Sequence, residues 1–229
     1  MKFRLNKNWN PIDDSIQLTK IEIEEQAVND LVKYERLYFE KYKKKPEWPL
    51  DIDNLIKELW ATEVIYGTIS QENGEELIIG QLDPENKRII VDQDACDNEH
   101  RVSFTLAHEA GHLSLHAGML VNYKEKQNCL KTDFGKSKKA EISQKRREWQ
   151  ANKYAGAIMA PKHKVFSMLE TDSLLVANVF KKPLDLNQYE ETLKREFGLS
   201  RFTLEIRLAD LGVPVTNLKY INYPGKPPF

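Results

Sequence analysis

Residues 108–112 read His-Glu-Ala-Gly-His, an H-E-x-x-H pattern. In a helix, residues four apart share a face and stand about 6 Å apart along the axis, so the imidazoles of His108 and His112 can converge on one cation. Glu109 points roughly 100° round the helix, near such an ion without having to bind it, which suits a carboxylate that works on water. Phe104, Leu106, Leu113 and Leu115 supply apolar anchoring around the motif. The competing reading is a solvated helix with two surface histidines. Gly111 argues against it, because glycine inside a helix costs roughly 1 kcal/mol relative to alanine. That cost makes sense where another element must come close.

A hydrolytic zinc site takes three protein ligands and leaves a fourth position open. The candidates for the third ligand are His100, His116, Glu99, Glu125, Cys129, Glu141 and Glu148. His116 continues the four-residue series but lies a full turn beyond His112. One straight helix does not readily bring three successive turns to one tetrahedral ion, so His116 is expected beside the ligands or in the core. Glu148 is the stronger choice. It opens Glu148-Trp149-Gln150-Ala151-Asn152 on a helix whose apolar contacts are Tyr154, Ala155, Ile158 and Met159. Asn152, one turn on, is placed to hydrogen-bond the outer nitrogen of a ligating histidine. With zinc acidifying a water and polarising a peptide carbonyl, Glu109 would take the water proton and pass it to the leaving amine. The charge that builds on the carbonyl oxygen needs another donor. Tyr154, Tyr123, His116 and His163 are the candidates.

The elements that must position these groups follow from periodicity. Apolar residues at helical spacing mark a helix over about 23–42, ended by the basic run from Lys41 and by Pro46. Asp51 is a cap for a short second helix carrying Ile52, Leu55, Ile56 and Leu59. Segments 63–70, 75–82 and 88–91 are rich in β-branched residues and separated by turn sequences, which predicts a three-stranded antiparallel meander. An edge strand of that meander beside the cleft is a candidate for holding an extended substrate by backbone pairing. From about Arg101 helical spacing persists, in pieces, to about Leu211. Its last part reads as two helices, 188–197 and one capped by Ser200, joined at Gly198 in a helix-turn-helix-like pair. The charges of that pair are mixed, which favours packing on the core or docking a protein over contact with DNA. The segment 214–229 is expected to be extended.

Composition fits these elements. The chain has 229 residues, 41% hydrophobic and 30% charged, with a net charge of −1, a globular balance that singles out no partner by charge alone. No run approaches the roughly 20 apolar residues of a membrane helix. The N-terminal stretch has no apolar core of the secretory kind, and Cys96 and Cys129 form no CxxC, so a reducing cytoplasm is expected. The stretch 122–147 is locally basic and reads as a solvated surface or a flap touching acidic groups.

The stretch Arg101–His116 resembles the ImmA/IrrE family of metallo-endopeptidases, and so does Glu148–Pro161, which follows that family's E-x-x-A-N-x-F-A pattern with Tyr154 for the phenylalanine and Met-Ala-Pro for Met-Pro. The resemblance covers about residues 45–165. It implies a gluzincin-like zinc site made of His108, His112 and Glu148, with Glu109 as acid and base. It also implies a protein substrate, a helix-turn-helix repressor cut during stress response or mobile-element induction. The expected fold is α+β: a small three-stranded antiparallel sheet on a zincin-like helical core, then a helical C-terminal region. The expected division is an N-terminal helical extension (1–45), the peptidase domain (46–165), the helical pair region (166–213) and a tail (214–229). The competing function is a DNA-binding or antitoxin-like regulator that keeps a peptidase-like fold.

Overall fold

The computed structural model describes residues 9–10, 15–69, 79–92, 98–120, 127–128, 138–171 and 183–219. Tyr123, Glu125, Cys96, Cys129, most of the basic stretch and the end of the tail lie outside them.

Two short strands, β1 (Trp9–Asn10) and β2 (Ser15–Ile16), pair antiparallel ahead of helix α1 (Lys20–Tyr42). Thr19 and Glu22 form a capping box: each side chain accepts from the other's backbone N–H, satisfying donors the first helical turn leaves over. Ile23, Ala27, Leu31 and Tyr34 recur every three or four residues and are buried along one face of α1. Asp51 caps α2 (Ile52–Trp60), which buries Ile52, Leu55 and Ile56.

The sheet departs from the predicted meander. Strand β3 (Glu63–Gly67) runs parallel to β5 (Arg88–Asp92), not antiparallel to its sequence neighbour. Strand β4 (Gly80–Asp83) pairs antiparallel with the other side of β5, and β6 (Gln127–Asn128) adds to the outer edge of β4, giving the order β3-β5-β4-β6. The β4–β5 turn is where the sequence puts it: Asp83 accepts from the backbone and amide of Asn86 and from Arg88. Turn residues mark where strands end but not which strands become neighbours. Ile89 and Val91 are fully buried, so β5 takes the centre, while the more exposed β3 takes an edge. Residues 68–87 are long enough for the crossover a parallel pair requires. The outer edge of β4, the strand nearest the metal motif, is already paired at Gln81 and Leu82 with Asn128 and Gln127. It is therefore not open there to a substrate.

Helix α3 (Glu99–Leu120) carries the H-E-x-x-H motif and packs on β4, β5 and α4 (Lys138–Met159). Helix α4 packs in turn on α1. Helix α5 (Lys162–Thr171) follows. Strand β7 (Leu184–Asp185) leads into α6 (Leu186–Phe197) and α7 (Arg201–Asp210), and β8 (Val215–Thr216) returns parallel to β7. The arginines of α7 are tied inside the fold. Arg201 pairs with Glu190 and Glu205, and Arg207 grips Glu24 with two bonds of 2.6 and 2.8 Å while donating to the Ala160 carbonyl. One buried apolar cluster extends from Ile23 of α1 to Val213. The molecule is a helix-rich α+β fold with a small mixed sheet. Among the described residues, no helix is long and apolar enough to cross a membrane.

Candidate metal centre

Helical repeat puts His108 and His112 on the face of α3 that meets α4, and α4 brings Glu148 to them. His108 Nε2 lies 3.0 Å from Glu148 Oε2 and 3.1 Å from His112 Nε2, and His112 Nε2 lies 3.6 Å from Glu148 Oε1. Ligands held at the roughly 2.0–2.1 Å bond lengths of zinc to nitrogen and oxygen stand about 3.3 Å apart on the edges of a tetrahedron. The separations lie on either side of that edge length, with His108 nearest one carboxylate oxygen of Glu148 and His112 nearest the other. These three residues form a group able to hold a metal ion.

Hydrogen bonding on the far side of each imidazole settles which nitrogens carry protons. Asn152 Oδ1 can only accept, so His108 Nδ1 donates to it at 3.0 Å and its Nε2 keeps a lone pair. His116 Nε2 donates to Gln150 Oε1 at 2.8 Å, which leaves His116 Nδ1 as the acceptor for His112 Nδ1 at 3.0 Å. The Nε2 of His112 is thereby also unprotonated. Two imidazole lone pairs and a carboxylate then face one another in a nearly dry pocket, an arrangement that only a cation or a proton makes favourable. The donor set fits a divalent metal on chemistry as well as on distance.

The electrostatics say the same. Burial opposes a charge on His108, but Glu148 beside it outweighs burial and raises its pKa to about 8. Burial works against the Glu148 carboxylate too. The two histidines beside it, His112 first and then His108, overcome it and hold Glu148 well below the usual carboxylate range. His116 goes the other way: burial, with His112 adding to it, pushes its pKa down to about 3. It stays neutral and serves as a fixed hydrogen-bonding link.

Glu109 is fully buried beside the two histidines. Close approaches between elements place it and its neighbours. A Cβ built on Gly80 of β4 would lie 3.2 Å from Glu109 Oε1 and 2.5 Å from Thr105 Cγ2, so the strand runs directly against this face of α3. On the opposite side, a Cβ on Gly111 would lie 3.0 Å from both the Cα and the carbonyl oxygen of Ala151. Gly111 is therefore the point where α4 crosses α3, which explains a glycine in mid-helix.

Other candidates fall elsewhere. The Tyr154 hydroxyl is buried and donates to Asp30 Oδ2 of α1 at 2.8 Å, so it is turned away from a substrate carbonyl. The sequence offered both readings, with Tyr154 among the helix's apolar contacts beside Ala155, Ile158 and Met159 and also among the oxyanion candidates. His116 touches His112 and Gln150 rather than open space. His163 is exposed on α5. His100 Nδ1 bonds the Gly198 carbonyl at 3.0 Å, and Glu99 is exposed at the start of α3. Glu125, Cys129, Tyr123 and the Glu141 side chain lie outside the described residues. Two participants escaped sequence reading. Asp30 gathers Tyr154, Ser114 and Gln26 between α1, α3 and α4. Gln150, two residues past Glu148, orients His116. Its position between a ligand and Asn152 was the only available signal.

The family model described as Peptidase_M78, IrrE N-terminal-like domain, matches residues 63–209, more than half of the chain and extending through α6 and most of α7. No curated protein matches. Among solved structures, a Mycobacterium tuberculosis transcriptional regulator is similar at 16% identity and a TM-score of 0.44, over 83% of this chain and 60% of that one. The chain thus spans about three fifths of that neighbour's length.

Proposed function

The chain belongs to the Peptidase_M78 family of IrrE N-terminal-like domains, and on that premise we propose that it is a zinc-dependent endopeptidase. Its substrate in this reading is a helix-turn-helix transcriptional repressor, cut in the cytoplasm to release genes of stress response or mobile-element induction. The observation that carries the proposal is the convergence of His108, His112 and Glu148, with the two imidazoles held from behind by Asn152 and His116.

Zinc held by these three residues would supply a Lewis acid that acidifies water and polarises the scissile carbonyl. The chain's own groups do the rest. Asn152 and the His116–Gln150 link keep both imidazoles in the metal-binding tautomer. Glu109, adjacent in sequence to the first ligand and buried against Gly80, takes a proton from the attacking water and returns it to the departing amine. Its burial keeps bulk water from competing for that proton.

The test combines metal analysis with co-expression. Purified protein should carry one zinc per chain, lost in His108→Ala. Co-expression with helix-turn-helix repressors encoded beside this gene should give repressor fragments. Glu109→Gln should retain the zinc and produce none. Fragments that persist in Glu109→Gln at the parent rate would remove Glu109 from the chemistry. Metal-free protein that still cleaves would end the reading.

A further inference from the structure

Helix α1 carries two apolar stripes. Ile23, Ala27, Leu31 and Tyr34 form the buried one. The second is made of Ile21, Val28, Val32 and Phe39 and lies roughly 120° round the helix from the first. It faces outward: Ile21 is 71% exposed, Val32 59% and Phe39 54%. Single exposed apolar side chains are ordinary on a soluble protein. A row of them along most of a 23-residue helix marks a surface that another protein covers. Beside Val28 the stripe borders an open recess of about 540 Å³ between α1 and α5, walled by Val28 and Phe166 and edged by Glu24, Glu25, Lys162 and His163.

The charges on α1 select the occupant. Its N-terminal half holds Glu22, Glu24 and Glu25. Its C-terminal half, with the residues just past it, holds Lys33, Arg36, Lys41, Lys43, Lys44 and Lys45, interrupted by Glu35 and Glu40. A helix polarised in this way complements a second copy of itself laid antiparallel. With a two-fold axis level with residues 30–31, Ile21 meets the partner's Phe39, Val28 meets the partner's Val32, and Glu25 meets the partner's Arg36, each contact being made twice. Glu25 and Arg36 lie on the same flank of the stripe, about 40–60° from its centre, which is the condition for meeting across such an axis. Within its own helix Arg36 makes a 3.7 Å contact with Glu40, and both side chains are more than half open to solvent. Glu35 lies on the other flank, with Glu24, and comes level with Lys162 and His163 at the recess. We propose that this face of α1 is the interface of a homodimer, with a second copy of the chain packed antiparallel along the stripe and its helix roofing the recess beside α5. Helices α3 and α4 meet α1 on the opposite side, at Asp30, so the pairing leaves the His108, His112 and Glu148 group untouched and does not depend on the peptidase reading.

Sedimentation velocity of the full chain, from sub-micromolar to high-micromolar concentration, is the test. The mass should rise with concentration from 26.7 kDa towards twice that value. Val32→Glu, at an exposed position where a carboxylate does not disturb the monomer, should hold the chain at the monomer mass throughout. Glu25→Arg and Arg36→Glu should each weaken association on the order of tenfold, since each sets like charges together twice. The double variant, with the two charges exchanged, should restore it. Residues 25 and 36 are about 16 Å apart along one helix, so that rescue cannot arise within a chain. Circular dichroism should show the same helix content in every variant. A parent chain that stays at 26.7 kDa over the whole range would overturn the proposal and leave the stripe to a different protein. A dimer indifferent to Val32→Glu would overturn it too, by placing the interface elsewhere. Single charge variants that pair like the parent, or a double variant as weak as they are, would rule out the antiparallel register.

Discussion

Gly111 of α3 faces Ala151 of α4 with no space for a side chain between them: a Cβ on Gly111 would stand 3.0 Å from the Ala151 Cα. Ala151 is three residues from Glu148, so the distance between two helix backbones sets how close Glu148 comes to the two histidines. A glycine unfavourable for the helix alone is kept because it lets the site assemble.

Gly111→Ala is accordingly expected to push α4 away from α3 by a few tenths of an ångström and carry Glu148 with it. The roughly 1 kcal/mol that alanine adds in helix propensity does not restore the crossing. Zinc affinity should fall on the order of tenfold, as for loss of groups that orient ligands, with helix content unchanged by circular dichroism. A chelator competition titration measures it. Affinity equal to the parent's would show that the crossing does not govern the site.

The Tyr154–Asp30 bond makes a separate prediction, because it distinguishes packing from chemistry. Tyr154→Phe removes one of the donors converging on a buried carboxyl group, a loss of about 1.5–3 kcal/mol in stability for a bond to a charged group. Cleavage by the folded enzyme should be unaffected. Loss of an oxyanion donor would instead lower kcat by about a hundredfold or more. Denaturant melts and single-turnover cleavage of the same preparation separate the two. A hundredfold fall in kcat at parent stability would return Tyr154 to the active site.

Much of this site was legible in the sequence because helical periodicity converts spacing into direction. His108, His112 and Glu109 follow from that rule, and Asn152 follows from Glu148 by the same one-turn step. That Glu148 reaches the histidines was not contained in either helix. It depends on the α3–α4 crossing, of which Gly111 was the visible trace. Asp30 looked like any polar residue on an amphipathic helix, since nothing local says that Ser114 and Tyr154 will arrive from far along the chain. The sheet order escaped for a related reason. Turn residues at 83–87 set the β4–β5 hairpin, while the insertion of β5 between β3 and β4 was decided by how deeply Ile89 and Val91 could be buried.

The two supports behind the histidines should act independently, one on each ligand. Gln150→Leu deprives His116 of its acceptor and loosens the tautomer of His112, while Asn152→Ala does the same for His108. Each is expected to weaken zinc binding by roughly 10- to 100-fold. Because they act through different ligands, the double variant should lose about the product of the two factors. A double variant no weaker than either single one would mean that the supports form a single network, joined through the 3.1 Å contact of the two Nε2 atoms.

Proton and metal compete for His108 Nε2, and the direction of its pKa shift decides where on the pH scale the competition is felt. Glu148 holds the metal-free imidazole protonated up to about pH 8, against an ordinary value of 6.5. Below about 8 a metal must therefore displace that proton, and apparent zinc affinity should drop by up to about tenfold per pH unit on the way down to 7. Above 8 it should level off. Stability of the metal-free protein should move in the opposite sense. A raised folded-state pKa contributes stability fully present below the unfolded value of 6.5 and lost as pH rises through about 8. Glu148, shifted down, adds a contribution present above its unfolded value of 4.5 and lost as pH falls from there. Zinc loading should thus raise Tm more at pH 8.5 than at pH 6, because the metal takes over the role of the proton where the proton is absent. Calorimetry of metal-free and zinc-loaded protein across this range checks both signs. A stabilisation by zinc that is the same at both ends would show that His108 and Glu148 do not share the metal's position.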